Sequence, residues 1–107
     1  MKILKRFENN LGFDQLTKLL ECLKSHNFKI PTGLQYNSQP VDINDQTKGT
    51  KWYYLLSWEK FFILLVALES PRYFITSKQT AVTVEYSSME SVLEHLVVNK
   101  FFYCLSL

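Results

Sequence analysis

Cys22 and His26 are the first pair whose types and spacing could do chemistry. They stand four residues apart in "FDQLTKLLECLKSHNF", which on a helix makes them surface neighbours. A thiol nucleophile needs an imidazole that close to take its proton. A helix turns by about 100° per residue, however, and that rotation puts both on the flank of the leucine face, away from any recognisable cleft. No third catalytic group or oxyanion device accompanies them, so a half-buried thiol beside a helix-end histidine is the expectation. His95, with Glu90 and Glu94 on a later segment, reads in the same way as a solvated helix flank. A metal centre needs three or four ligands from Cys, His and carboxylates. The cysteines and histidines of this chain stand at positions 22, 26, 95 and 104, with none of the spacings of a metal motif. No catalytic residue, metal ligand or cofactor is assigned, and the chain is expected not to be an enzyme.

Recognition chemistry is better supplied. "TKGTKWYY" interleaves Lys48 and Lys51 with Trp52, Tyr53 and Tyr54. Aromatic faces can stack on unpaired bases while lysines follow the phosphates, and the same rings can anchor a protein interface. Strand alternation sends Trp52 and Tyr54 into the core and leaves Tyr53 outside. Tyr36, Tyr53, Tyr73, Tyr86 and Tyr103 are more tyrosines than one small core can hold with every hydroxyl satisfied. The candidate partner-binding set is therefore Tyr36, Lys48, Lys51, Trp52 and Tyr53. The function expected of it is non-catalytic protein binding, in the manner of a stoichiometric inhibitor such as a bacterial immunity protein or antitoxin that occludes its partner's active site. That expectation is an analogy between small cofactor-free domains. The alternative is a single-stranded nucleic-acid binder using the same Lys-Trp-Tyr strand.

The charge balance bears on both. Residues 1–53 carry eight Lys/Arg against five Asp/Glu, residues 54–107 four against five, and the net charge is +2. A dedicated nucleic-acid domain carries a stronger basic bias. Ten of the twelve cations are lysine, the poorer residue for bidentate recognition of phosphate or bases. An inhibitor of a basic nuclease would be acidic, which this chain is not, unless Asp42, Asp45, Glu85, Glu90 and Glu94 gather on one side. The length of 107 fits one domain, 1–107, and aromatics at 15% furnish its core. Two distant cysteines, and no apolar run after "MKILKRFENN", predict a reduced cytoplasmic protein without a signal peptide.

The elements that must position these residues follow from pattern. Leu16, Leu19, Leu20 and Leu23 recur at helical spacing, with Asp14 as N-cap and His26-Asn27 at the far end. Residues 34–44 read as extended edge structure, because Pro40 suits no central strand. "KWYYLLS" reads as a strand, and "RYFITSKQTAVTVEY" as two strands, 72–76 and 81–86, about a polar turn. Ser87 and Glu90 form a capping box, opening a helix that carries Met89, Val92, Leu93, Leu96 and Val97. "FFILLVAL", residues 61–68, is too short for a bilayer, which takes about 20 apolar residues, and no membrane association is expected. Ser57 as N-cap and Pro71 as stop favour a helix over 57–69, with a central strand as the alternative. Either way it is core. The apolar tail "FFYCLSL", residues 101–107, is expected to dock as a last strand or to lie between two chains as a homodimer contact. The sum is an α+β domain, an antiparallel sheet with two or three helices packed on it.

Overall fold

The computed structural model describes residues 10, 12–40, 44, 50–67 and 70–99. The elements run α1 (Phe13–Ser25), β1 (Gly33–Pro40), β2 (Thr50–Ser57), β3 (Phe61–Ala67), β4 (Arg72–Ser77), β5 (Thr83–Tyr86) and α2 (Met89–Val98). The strands form one antiparallel sheet in the order β1-β2-β3-β4-β5, each paired with its neighbour in sequence. The α+β class is as expected, with two helices among the described residues. Residues 1–9, Asp42, Asp45, Lys48, Cys104 and the tail 101–107, with the dimer contact expected of it, lie outside the described residues.

α1 forms because Leu16, Leu19, Leu20 and Leu23 make one apolar face, and all four are buried. Its N-cap is Gly12 rather than the expected Asp14, and Gly12 makes no side-chain cap. The reason is space and backbone: Gly12 has φ 82°, and a Cβ there would stand 2.3 Å from Ala67 Cβ. Asp14 instead sits in the first turn, where its charge meets the positive end of the helix. The helix closes as the sequence suggests. Asn27 takes φ 65°, and Phe28 N–H donates to Leu23 C=O while Asn27 N–H donates to Lys24 C=O, a Schellman closure.

"FFILLVA", Phe61–Ala67, is a strand, which corrects the helix favoured over 57–69. Ser57 is the last residue of β2 rather than an N-cap, and Glu59-Lys60 are the turn of a hairpin whose Trp58 N–H donates to Phe61 C=O. β3 is the central strand, so each of its faces meets apolar neighbours, and that erases the alternation expected of a half-exposed strand. The hairpin is tied at its corner. Trp58 is buried, stacks on Phe61 at 4.7 Å, and donates its indole N–H to Lys29 C=O at 3.0 Å. Lys78 reaches the same turn, its ammonium donating to Trp58 C=O and its backbone N–H to Lys60 C=O. β1, which carries Pro40, is an edge strand, the position a proline tolerates.

α2 starts one residue later than the capping box suggests. Its N-cap is Ser88, whose hydroxyl accepts from Ser91 N–H, not Ser87. Val92 and Leu96 are its buried face. Gly12 at the head of α1 meets Tyr54 and Ala67, and α2 packs on β4 and β5 beside α1. Both helices therefore cover one face of the sheet. The cross-strand register puts Leu34, Leu56, Ile63, Ile75 and Val84 in one row of that face and Tyr36, Tyr54, Leu65, Tyr73 and Tyr86 in the next. Leu56, Ile63, Leu65 and Tyr54 have no exposed surface at all, so the core lies between these rows and the helices.

Candidate interaction surface

The opposite face carries no helix among the described residues, and its composition is unusual for a solvated one. Read across the strands, the register gives a middle row of Gln35, Leu55, Leu64, Phe74 and Glu85. On one side of it lie Asn37, Tyr53, Val66 and Arg72, and on the other Gly33, Ser57, Phe62, Thr76 and Thr83. The apolar residues occupy the centre, on β2, β3 and β4. The polar ones form the rim. Val66 is buried, whereas Tyr53, Leu55, Phe62, Leu64 and Phe74 are half-exposed. Arg72 and Glu85 close one edge with an ion pair at 3.0 Å, and both are half-exposed, so that pair contributes little to stability. A shallow depression of about 300 Å³ is lined by Gln35, Asn37, Tyr53, Leu55 and Leu64.

The residues nominated from the sequence are divided between the two faces. Tyr36 and Trp52 stand on the helix face near the β1 edge, half-buried and stacked at 5.3 Å with their planes 4° apart. Tyr36 also meets Tyr54 at 4.8 Å. Burial first, and the nearby Tyr36 phenol second, push the Tyr54 hydroxyl up to about 12. Among the nominated residues whose side chains are described, Tyr53 alone lies on the open face, as alternation demands. Lys51 contributes its backbone to β2, and its side chain, like the whole of Lys48, lies outside the described residues. Glu85 is on the open face while Glu90 and Glu94 are on α2, so these three acidic residues do not gather on one side.

Sequence reasoning missed Leu55, Phe62, Leu64 and Phe74. Their signal was the failure of alternation in three consecutive strands, which read as depth of burial instead of as two apolar faces.

The titratable pairs resolve into structure. His26 Nδ1 lies 2.9 Å from the carbonyl oxygen of Cys22. A carbonyl only accepts, so this nitrogen donates to the backbone and is not available to the thiol. Burial pushes the Cys22 thiol up, away from the thiolate a nucleophile needs. His95 is not the solvated flank expected of it. It is half-buried, Tyr86 Oη lies 2.7 Å from its Nδ1, and the two rings meet edge-on. Burial lowers its pKa, which favours the neutral ring. Among the described residues no three His, Cys, Asp or Glu side chains converge as metal ligands, and no helix is long and apolar enough to cross a membrane.

Comparison of the chain with protein-family models, with curated proteins and with solved structures finds no match.

Proposed function

We propose that this chain is a non-catalytic protein-binding domain whose working surface is the open face of its sheet. The observation that supports the reading is the arrangement of that face: Leu55, Phe62, Leu64, Val66 and Phe74 at the centre, ringed by Gln35, Asn37, Ser57, Thr76, Thr83 and the Arg72–Glu85 pair. An apolar centre within a polar rim is the anatomy of a protein interface. An apolar sheet face of this kind acts by covering, so the mechanism is occlusion of a partner's functional surface, as in a stoichiometric inhibitor of the immunity or antitoxin kind. Tyr53 is the nominated anchor that stays with this surface. Tyr36 and Trp52 act on it indirectly, by fixing the β1–β2 edge.

The nucleic-acid alternative requires cations along a row of exposed rings. Among the described side chains of the open face Arg72 is the one cation, and it is paired with Glu85. The test is affinity capture by the tagged chain beside its Leu64→Lys variant, with nuclease and high-salt arms. A protein held by the parent through both treatments and released by the folded variant supports the reading. Recovery of nucleic acid, or of a protein held equally by both chains, overturns it.

A further inference from the structure

We infer that, without its partner, the chain covers the open face with a second copy of itself, face to face about a two-fold axis running along β3. The inference rests on the open face being an interaction surface, and it assigns that surface a resting state.

The argument is the order of side chains across the sheet. A two-fold axis along β3 lays β1 of one copy over β5 of the other and β2 over β4, a self-complementary contact of the isologous kind. In the middle row, Leu64 then meets its own counterpart, Leu55 meets Phe74, and the amide of Gln35 meets the carboxylate of Glu85. In the adjoining row, Val66 lies on the axis opposite its own counterpart, and the ring of Tyr53 meets the guanidinium of Arg72. In the third, Phe62 meets itself and Ser57 meets Thr76. Apolar groups oppose apolar groups, Glu85 opposes an amide and Arg72 an aromatic ring, and no two like charges are opposed.

Size sets the strength. Strand spacings of about 4.8 Å and same-face repeats of about 6.8 Å give each copy roughly 500 Å² of face. A stable interface takes about 800 Å² from each partner. The pairing is therefore weak, with dissociation expected at roughly tens to hundreds of micromolar, and a better-fitting partner displaces the second copy by mass action.

Sedimentation of the purified chain from about 10 μM to about 1 mM tests this directly. The expected result is a rise from monomer towards dimer, abolished by Leu64→Lys, which sets two ammonium groups against each other on the axis. Exposed Gln35 gives a second test that does not disturb the core. Gln35→Lys, opposite Glu85 of the other copy, should tighten the dimer several-fold although it raises the net charge, and Gln35→Glu should weaken it several-fold. A monomer at every concentration, or a dimer indifferent to Leu64→Lys, overturns the inference. So do Gln35 variants that leave the dimer unchanged or shift it in the opposite sense, and with them these decide the matter if Leu64→Lys fails to fold. A monomeric chain that still captures a partner removes this inference and leaves the proposed function standing. A dimer that captures nothing does the reverse.

Discussion

The two faces of the sheet are built from the same strands and nearly the same residue types, yet they do different work. On the helix face, Leu65 is fully buried between Tyr54 and Tyr73 and beneath the helices. On the open face, its neighbour in sequence, Leu64, is half-exposed between Leu55 and Phe74. Apolarity alone does not distinguish core from interface; the second layer does. The largest test of this contrast is the pair Leu65→Ala and Leu64→Ala. The first should lose about 2–5 kcal/mol in urea unfolding and the second clearly less, since only the first leaves a closed cavity. Equal losses would mean that the open face is covered as thoroughly as the other.

Gly12→Ala comes next, at roughly 1–3 kcal/mol, because it adds a Cβ against Ala67 and holds a side chain at positive φ. It disturbs the helix face only. A fall in stability that also abolishes self-association would show the two faces to be coupled. Trp58→Phe keeps the ring stack on Phe61 but removes the donor to Lys29 C=O, and should lose about 1 kcal/mol by the same measurement.

The smallest expected effect is one of pH. The folded-state pKa of His95 lies below its ordinary value of 6.5, so folding releases a proton from this group as pH falls through that range. Its contribution is complete above about pH 6.5 and is lost as pH drops towards the folded value. The urea midpoint should accordingly fall between pH 7.5 and pH 5, and His95→Gln should flatten the part of that slope owed to this ring. A variant with an unchanged slope would place the titration elsewhere.

Much of the fold was legible in local pattern. The leucine spacing of α1, the helical spacing of α2, and the edge position that suits Pro40 each follow from a rule that needs no tertiary knowledge. The cap positions were misplaced for physical reasons, since Gly12 is chosen by contact with Ala67 across the sheet, which no local rule contains. The 57–69 segment failed differently. A strand with apolar residues on both sides has lost the period-two signal, and Ser57 and Pro71 bracket a strand's turns as readily as a helix's ends. The interaction surface was legible only in part. Tyr53 was found because it is a ring beside other rings, whereas Leu64 and Phe74 acquire meaning only when register places them side by side.

The meander order has a consequence for how the chain reaches this state. Every strand pairs with the strand next to it in sequence, through connections as short as Glu59-Lys60. Each pairing therefore closes a small loop at low entropic cost, and the sheet can assemble by successive hairpins instead of waiting for distant segments to meet. Contact between α1 and α2 is the long-range one, joining segments from opposite ends of the described chain over one face of the sheet. Folding should consequently be fast for a sheet protein, with the helices acting as the clasp that seals one side.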